Sequence, residues 1–212
     1  MLNIAVQEWA QPGEPFRLVA VEVGEIHWPD YLPVAACERL VRFADPMAQA
    51  RAGASEWLKY GWLPQQVQLT RVEFLSGSNG KPILAGGAAE WGFNLSHAGQ
   101  YAVAVLARDA DVGVDLESTR RPADCERLAQ RVFSASEQAC VAEGGRRTFF
   151  MLWSQKEALM KALGCGWADG KIQRRTALEP VAYQLEPATG ARIWARTILD
   201  GAYTLAVAML PR

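Results

Sequence analysis

The chain lacks most of the features that would give away a metal-cluster, secreted, membrane or nucleic-acid-binding protein. Of its 212 residues four are cysteine and two are histidine, and Cys37, Cys125, Cys140 and Cys165 are too far apart to form a CxxC or Cys/His zinc set. We therefore expect free thiols and a reducing cytoplasm. No apolar run comes near the about 20 residues that a membrane-spanning helix needs, and 101–107 is among the longest. The opening Met1-Leu2-Asn3-Ile4 has no basic region followed by a long apolar one, so no secretory signal is expected. A formal net charge of −1 excludes the broad basic footprint of a nucleic-acid binder. Any anionic ligand must then be held by a few local side chains.

Half of the residues are hydrophobic, enough for one large domain or two small ones with a sizeable core. The β-branched and aromatic stretch 16–23 predicts a strand. Helices are expected from Pro33 and over 46–60, the second ended by Gly61 and Pro64. Strands follow at 67–75, around Phe93 and over 101–106, with an Asn79-Gly80 turn leading into Lys81-Pro82. Ser134 with Glu137 three residues on is a capping-box signature for a short helix, and 146–163 has helical apolar spacing up to Gly164. Strands are expected again at 181–185, 191–197 and 202–209. Gly99-Gln-Tyr-Ala-Val-Ala-Val and Gly201-Ala-Tyr-Thr-Leu-Ala-Val agree at four of seven positions at an offset of 102, and at that offset Lys59 falls on Lys161. The match predicts a duplicated architecture with its ligand site in the cleft between the copies.

The charged motifs sit in the second half. In Val112-Gly113-Val114-Asp115-Leu116-Glu117, an extended backbone projects Asp115 and Glu117 from one face. Like charges so placed are destabilising unless a cation or salt bridge offsets them; otherwise the segment is an exposed strand end. In Trp153-Ser-Gln-Lys156-Glu157-Ala-Leu-Met-Lys161, Glu157 and Lys161 stack on one side of a helix, an arrangement that also suits an ordinary solvated pair. Together the acids would take a hard cation such as Mg²⁺, and the lysines would neutralise phosphate charge. Phe93-Asn94-Leu95-Ser96-His97 adds a hydroxyl and an imidazole. Neighbours on a strand point to opposite faces, so Ser96 and His97 do not form a nucleophile and base pair, although both can donate to phosphate oxygens. His97 also reads as a hydrogen-bonded structural histidine, and His27, beside Trp28, as loop packing. From residues alone the chemistry is Mg²⁺-dependent phosphoryl or nucleotidyl transfer.

The three blocks FNLSH, VGVDLE and WSQKEALMKALG, in this order and spacing, resemble the 4'-phosphopantetheinyl transferases. More narrowly they look like the larger, monomeric surfactin-synthetase-activating class, and the WxxKEAxxK form is similar to the subclass whose members often serve a broad range of carrier proteins. The resemblance is dense from Lys81 to about Gly166 and thinner elsewhere. It implies an α+β fold of two similar halves, 1–110 and 111–212, related by a pseudo-twofold axis, with coenzyme A and Mg²⁺ (Mn²⁺ also being suitable) in the cleft between them. The implied reaction moves the 4'-phosphopantetheine arm of coenzyme A to a serine of an apo acyl or peptidyl carrier protein and releases adenosine 3',5'-bisphosphate. The carriers would belong to fatty-acid, polyketide, non-ribosomal peptide or lysine-biosynthesis systems.

Carried over residue by residue, the resemblance assigns the metal to Asp115, Glu117 and Glu157. Glu157 and Lys161 become the catalytic pair, the serine proton going to Glu157 or to a metal-bound water that it activates. Coenzyme A contacts fall on Lys81, Ser96, His97, Lys156 and Lys161, and, through a looser match beside Arg39 and Arg42, on Arg51 for the 3'-phosphate. The partly basic 120–132 segment, with Arg127, Arg131, Leu128 and Val132, is expected either to dock an acidic carrier helix or to be a plain solvated face. A non-catalytic binder that kept the fold, or another Mg²⁺-dependent enzyme acting on coenzyme A or a nucleotide, would use the same motifs with a different outcome. No membrane or nucleic-acid partner is expected, and the chain should be a monomer.

Overall fold

A computed structural model of the chain describes residues 6–10, 12–23, 32–169, 172 and 176–212. Two antiparallel four-stranded sheets organise it. The first has the order β1 (Val6–Glu8), β2 (Arg17–Glu22), β6 (Tyr101–Arg108), β5 (Trp91–Ala98). The second has β7 (Ala110–Ser118), β10 (Tyr203–Pro211), β9 (Ala191–Ile198), β8 (Tyr183–Glu186). A separate hairpin pairs β3 (Glu73–Ser76) with β4 (Pro82–Ala85).

Period-two alternation decides what each strand faces. On β2 and β6, Leu18, Ala20, Val103, Val105 and Ala107 point to the second sheet and meet Val112, Val114, Leu116, Leu205, Val207 and Met209 there. Their neighbours Val19, Val21, Ala102, Ala104 and Leu106 point the other way, onto helices. On β10, Ala206 and Ala208 face a third cluster beneath α4 (Cys125–Val132) and α5 (Ala135–Leu163). The result is a helix, sheet, sheet, helix stack. Because Val112, Val114 and Leu116 are committed to the intersheet core, Gly113, Asp115 and Glu117 must face α5. A Cβ at Gly113 would come within 2.1 Å of the Ala158 carbonyl oxygen, so only glycine lets α5 lie this close to β7.

Local signals explain most boundaries. α1 (Val34–Leu40) opens just after Pro33, which takes the cap position, and Asp45 caps α2 (Pro46–Trp57) by accepting from the Met47 and Ala48 amides, with Pro46 pre-organised in the first turn. Ser134 and Glu137 form the expected capping box, and Gly164 closes α5 in the left-handed conformation. The short helix and the 146–163 helix form one run broken at Gly145, whose φ is 65°.

Three expectations need correction. The helix over 46–60 does not stop at Gly61 and Pro64 but passes through a π-helical turn, Leu58–Trp62, into α3 (Leu63–Gln66). Pro64 falls in the first turn of that last piece, where no amide donor is required, and Leu58, Trp62 and Leu63 bury against the first sheet. Residues 67–72 are turn and coil, the strand beginning only at Glu73. A short strand, β1, precedes the first one expected. The repeated segments form β6 and β10, each paired with the strand before it, β5 and β9, and their equivalent Tyr101 and Tyr203 rings touch edge to face at 5.5 Å.

Candidate active site

The two sheets meet where β5 lies beside β7. Asn94 and Ser96 reach across: Asn94 Oδ1 accepts from the Val114 amide at 3.0 Å, and Ser96 Oγ accepts from the Leu116 amide at 3.2 Å. Above this seam opens a cavity of about 580 Å³, within the usual range of small-ligand pockets. β5, β7, α5 and α2 with its π-helical extension all line it. Ser96, His97, Asp115, Glu117, Glu157 and Lys161 are on its wall, as are Lys59, Asn94, Arg121 and Trp153.

Each acid has its own resident donor. Lys161 Nζ lies 2.7 Å from Asp115 Oδ1 and also donates to the Val114 carbonyl oxygen and to Ser96 Oγ. Arg121 Nε lies 3.1 Å from Glu117 Oε2, and the Trp167 indole donates to Glu157 Oε1 at 2.5 Å. Asp115 is only 5% exposed, and its Oδ2 is buried without a partner. Burial drives the Asp115 carboxyl up to about 6 against the pull of Lys161, with the Glu157 charge adding to the rise. Glu117 is pushed up to about 7, first by burial and then by the Asp115 charge. Among the described residues no group of three or more His, Cys, Asp or Glu side chains is drawn together as metal ligands would be. The donor set nonetheless fits a hard divalent cation: oxygen ligands, an orphaned buried carboxylate oxygen, and mutual repulsion that a dication would relieve.

The remaining expected contacts divide. His97 stands at the rim near Arg51 and Lys161; partial desolvation by the cleft wall, then those two positive charges, hold its imidazole below the usual value, so it is neutral near pH 7. Arg51 lies beside the cleft, donating to the Gly99 carbonyl oxygen and standing 3.8 Å from Asp45. Lys81 is not on the cavity wall: its Nζ donates to the Ala162 carbonyl oxygen at 2.9 Å and so caps the end of α5. Burial there lowers its pKa.

Lys156 is also a correction. It is wholly buried on the far side of α5, with Nζ 2.9 Å from Glu137 Oε1 and bonded to the Ile172 and Thr176 carbonyl oxygens. In this structure it holds the chain after α5 rather than facing a phosphate. His27 lies outside the described residues. Sequence reasoning passed over three participants. Lys59 was visible only as the repeat mate of Lys161, and Asn94 only through the alternation of FNLSH. Nothing in the sequence singles out Trp167. The four cysteines are free thiols, and among the described residues no helix is long and apolar enough to cross a membrane.

Residues 111–208, which supply β7 and α5 and hence all three acids, match the family model of the 4'-phosphopantetheinyl transferase superfamily. Among individual proteins, the 4'-phosphopantetheinyl transferase AcpT of Salmonella typhimurium is 35% identical over 127 residues, covering 56% of this chain and 64% of that protein. HetI of Nostoc sp., named as the same kind of transferase, is 37% identical over 132 residues, 58% of this chain and 55% of its own length. The psf-1 transferase of Bacillus pumilus is 38% identical over 106 residues, 48% and 44%. In each case the chain spans less than two thirds of the relative.

Proposed function

We propose that this chain transfers the 4'-phosphopantetheine arm of coenzyme A to a serine hydroxyl of an apo carrier protein, releasing adenosine 3',5'-bisphosphate. The observation that carries this reading is the seam between the sheets, where three carboxylates, Lys161, Ser96 and His97 border one cavity. The similarity of 111–208 to the transferase superfamily supports it independently. We read the halves 1–110 and 111–212 as a pseudo-twofold pair completing its own cleft, hence a cytoplasmic monomer, and the WxxKEA motif as that of the surfactin-synthetase-activating class.

Asp115, Glu117 and Glu157 would hold Mg²⁺, which when bound neutralises the pyrophosphate and polarises its P–O bonds. Lys161, already sharing Ser96 and Asp115, is poised to donate to a phosphate oxygen, and neutral His97 and the Ser96 hydroxyl offer further donors. Arg51, near His97, suits the 3'-phosphate. Glu157, steadied by Trp167, accepts the serine proton as the serine oxygen bonds to the pantetheine-side phosphorus and the bond to the bridging oxygen breaks. On α4, Arg127 and Arg131 are exposed, and Leu128 lines a groove of about 500 Å³ with Arg131, Val132, Trp153 and Trp167. This face suits an acidic carrier helix. Replacing both arginines with Glu should raise KM for carrier and leave that for coenzyme A unchanged; equal effects on both remove the docking assignment.

Intact-protein mass spectrometry of a panel of apo carriers, incubated with the chain, coenzyme A and Mg²⁺, tests the reaction. A gain of the phosphopantetheine mass that a chelator abolishes is the expected result. Release of adenosine bisphosphate without carrier modification would sink it.

A further inference from the structure

Arg121 stands out because it touches the acid cluster from a segment that the reaction does not otherwise use. It follows β7 in a turn closed by its own amide, which donates to the Ser118 carbonyl oxygen, and this brings the side chain back over Glu117. Arg146 fixes the backbone of that turn, donating to the carbonyl oxygens of Thr119, Arg121 and Ala123. The guanidinium lies 5.7 Å from the ring centre of Trp153 on the cavity wall and 5.5 Å from that of Phe150, which is buried behind it. Its own side chain remains 41% exposed against 16% for Glu117, so the arginine has room to move where the carboxylate has little.

Glu117 therefore already has a cation. A divalent ion entering between Asp115 and Glu117 competes with Arg121 for the same carboxylate, since one carboxylate cannot serve both at full strength. Once displaced, the guanidinium is still held at the cavity edge by its anchored turn. It presents a planar fork of N–H donors matched to phosphate oxygens, at the moment when the cation brings an anionic ligand into reach.

We propose that Arg121 is a placeholder cation: it occupies Glu117 when the divalent ion is absent and passes to the pyrophosphate of the ligand when the ion binds, coupling cation and ligand binding. The inference rests on the transferase reading and predicts opposite signs for two affinities. Removing the competitor strengthens binding of the ion alone, while removing the phosphate donor weakens the nucleotide.

The test uses Mn²⁺ as a spectroscopic probe, with its binding followed by electron paramagnetic resonance and coenzyme A binding in the presence of Mn²⁺ followed by calorimetry. In Arg121→Met, the dissociation constant of Mn²⁺ alone should fall about two- to fivefold, the range of a partly exposed ion pair. That of coenzyme A should rise about tenfold, as for loss of a charge-assisted hydrogen bond. Arg121→Lys, which keeps the charge but not the fork, should leave Mn²⁺ affinity near wild type and still weaken coenzyme A. Weaker or unchanged Mn²⁺ binding in Arg121→Met overturns the placeholder role alone. A wild-type chain that binds neither Mn²⁺ nor coenzyme A overturns the transferase reading and this inference with it.

Discussion

Asp115 and Glu117 can serve a cation only when they have lost their protons, and burial makes that loss costly. In the cation-free fold their values stand at about 6 and about 7, above the ordinary 3.8 and 4.5. A raised carboxyl favours the fold while it is protonated. That contribution is complete below the ordinary values and disappears as pH rises through about 6 to 7. The chain without added cation should accordingly lose melting temperature between about pH 4 and pH 7, while the increment produced by saturating Mg²⁺ grows over the same interval. Melting curves with and without Mg²⁺ check this, and an increment that does not depend on pH would separate these acids from the ion. At constant pH, Asp115→Ala and Glu157→Ala should each lower kcat by on the order of 10² or more, and wild-type turnover in either would refute its role. The acids were legible because strand alternation puts Asp115 and Glu117 on one face. The choice between the two lysines was missed, since both were assigned to coenzyme A, although Lys156 and Lys161 are five residues apart, about 140° around an α-helix, so one edge cannot offer both to the same ligand. Glu157, four before Lys161, identifies the cavity edge as that of Lys161.

The burial of Lys156 makes α5 more than a carrier of site residues. Glu137 at the start of the helix accepts from the Ser134 and Leu178 amides and from Lys156, so one carboxylate ties the helix cap, its middle and the chain returning toward β8. That returning chain begins with Trp167, which stacks on Trp153 at 4.8 Å and donates to Glu157. Lys156→Met should cost about 3–5 kcal/mol in urea unfolding, because it leaves Glu137 charged and buried. Adding Glu137→Gln should restore part of the loss, since the amide oxygen can still accept from Leu178 without a charge. A double variant no more stable than the single one would show that the charge was not the cost. No sequence rule forecasts such a pairing, as its partners are 19 residues apart along one helix that bends at Gly145. The π-helical turn at Leu58–Trp62 was hidden for a related reason. Gly61 and Pro64 are local stop signals, and the burial of Leu58, Trp62 and Leu63 overrides them.

At the scale of the whole molecule, function depends on how the first sheet is registered against the second. The repeat hinted at this, because its two copies became β6 and β10, whose tyrosines meet between the sheets. What seven matching residues could not convey is that β5 and β7, the edge strands, are joined by side chains rather than by a backbone ladder. Asn94 is buried and supplies the acceptor for the Val114 amide, one residue before Asp115. Lys161 donates to the carbonyl oxygen of the same Val114, so this peptide segment is held from both sides of the cleft. Asn94→Leu, with the same branching and number of side-chain heavy atoms, would leave the Val114 amide buried without an acceptor, a loss of about 1–3 kcal/mol. The seam would then be free to shift beneath Asp115, moving the acid relative to His97 and Lys59 across the cavity. We expect urea unfolding to register the stability loss and calorimetry to register weaker coenzyme A binding, although Asn94 carries no charge and is assigned no phosphate. A variant that loses stability but binds coenzyme A as tightly as wild type would mean that the cleft takes its shape within each sheet, and that the seam only holds the two together.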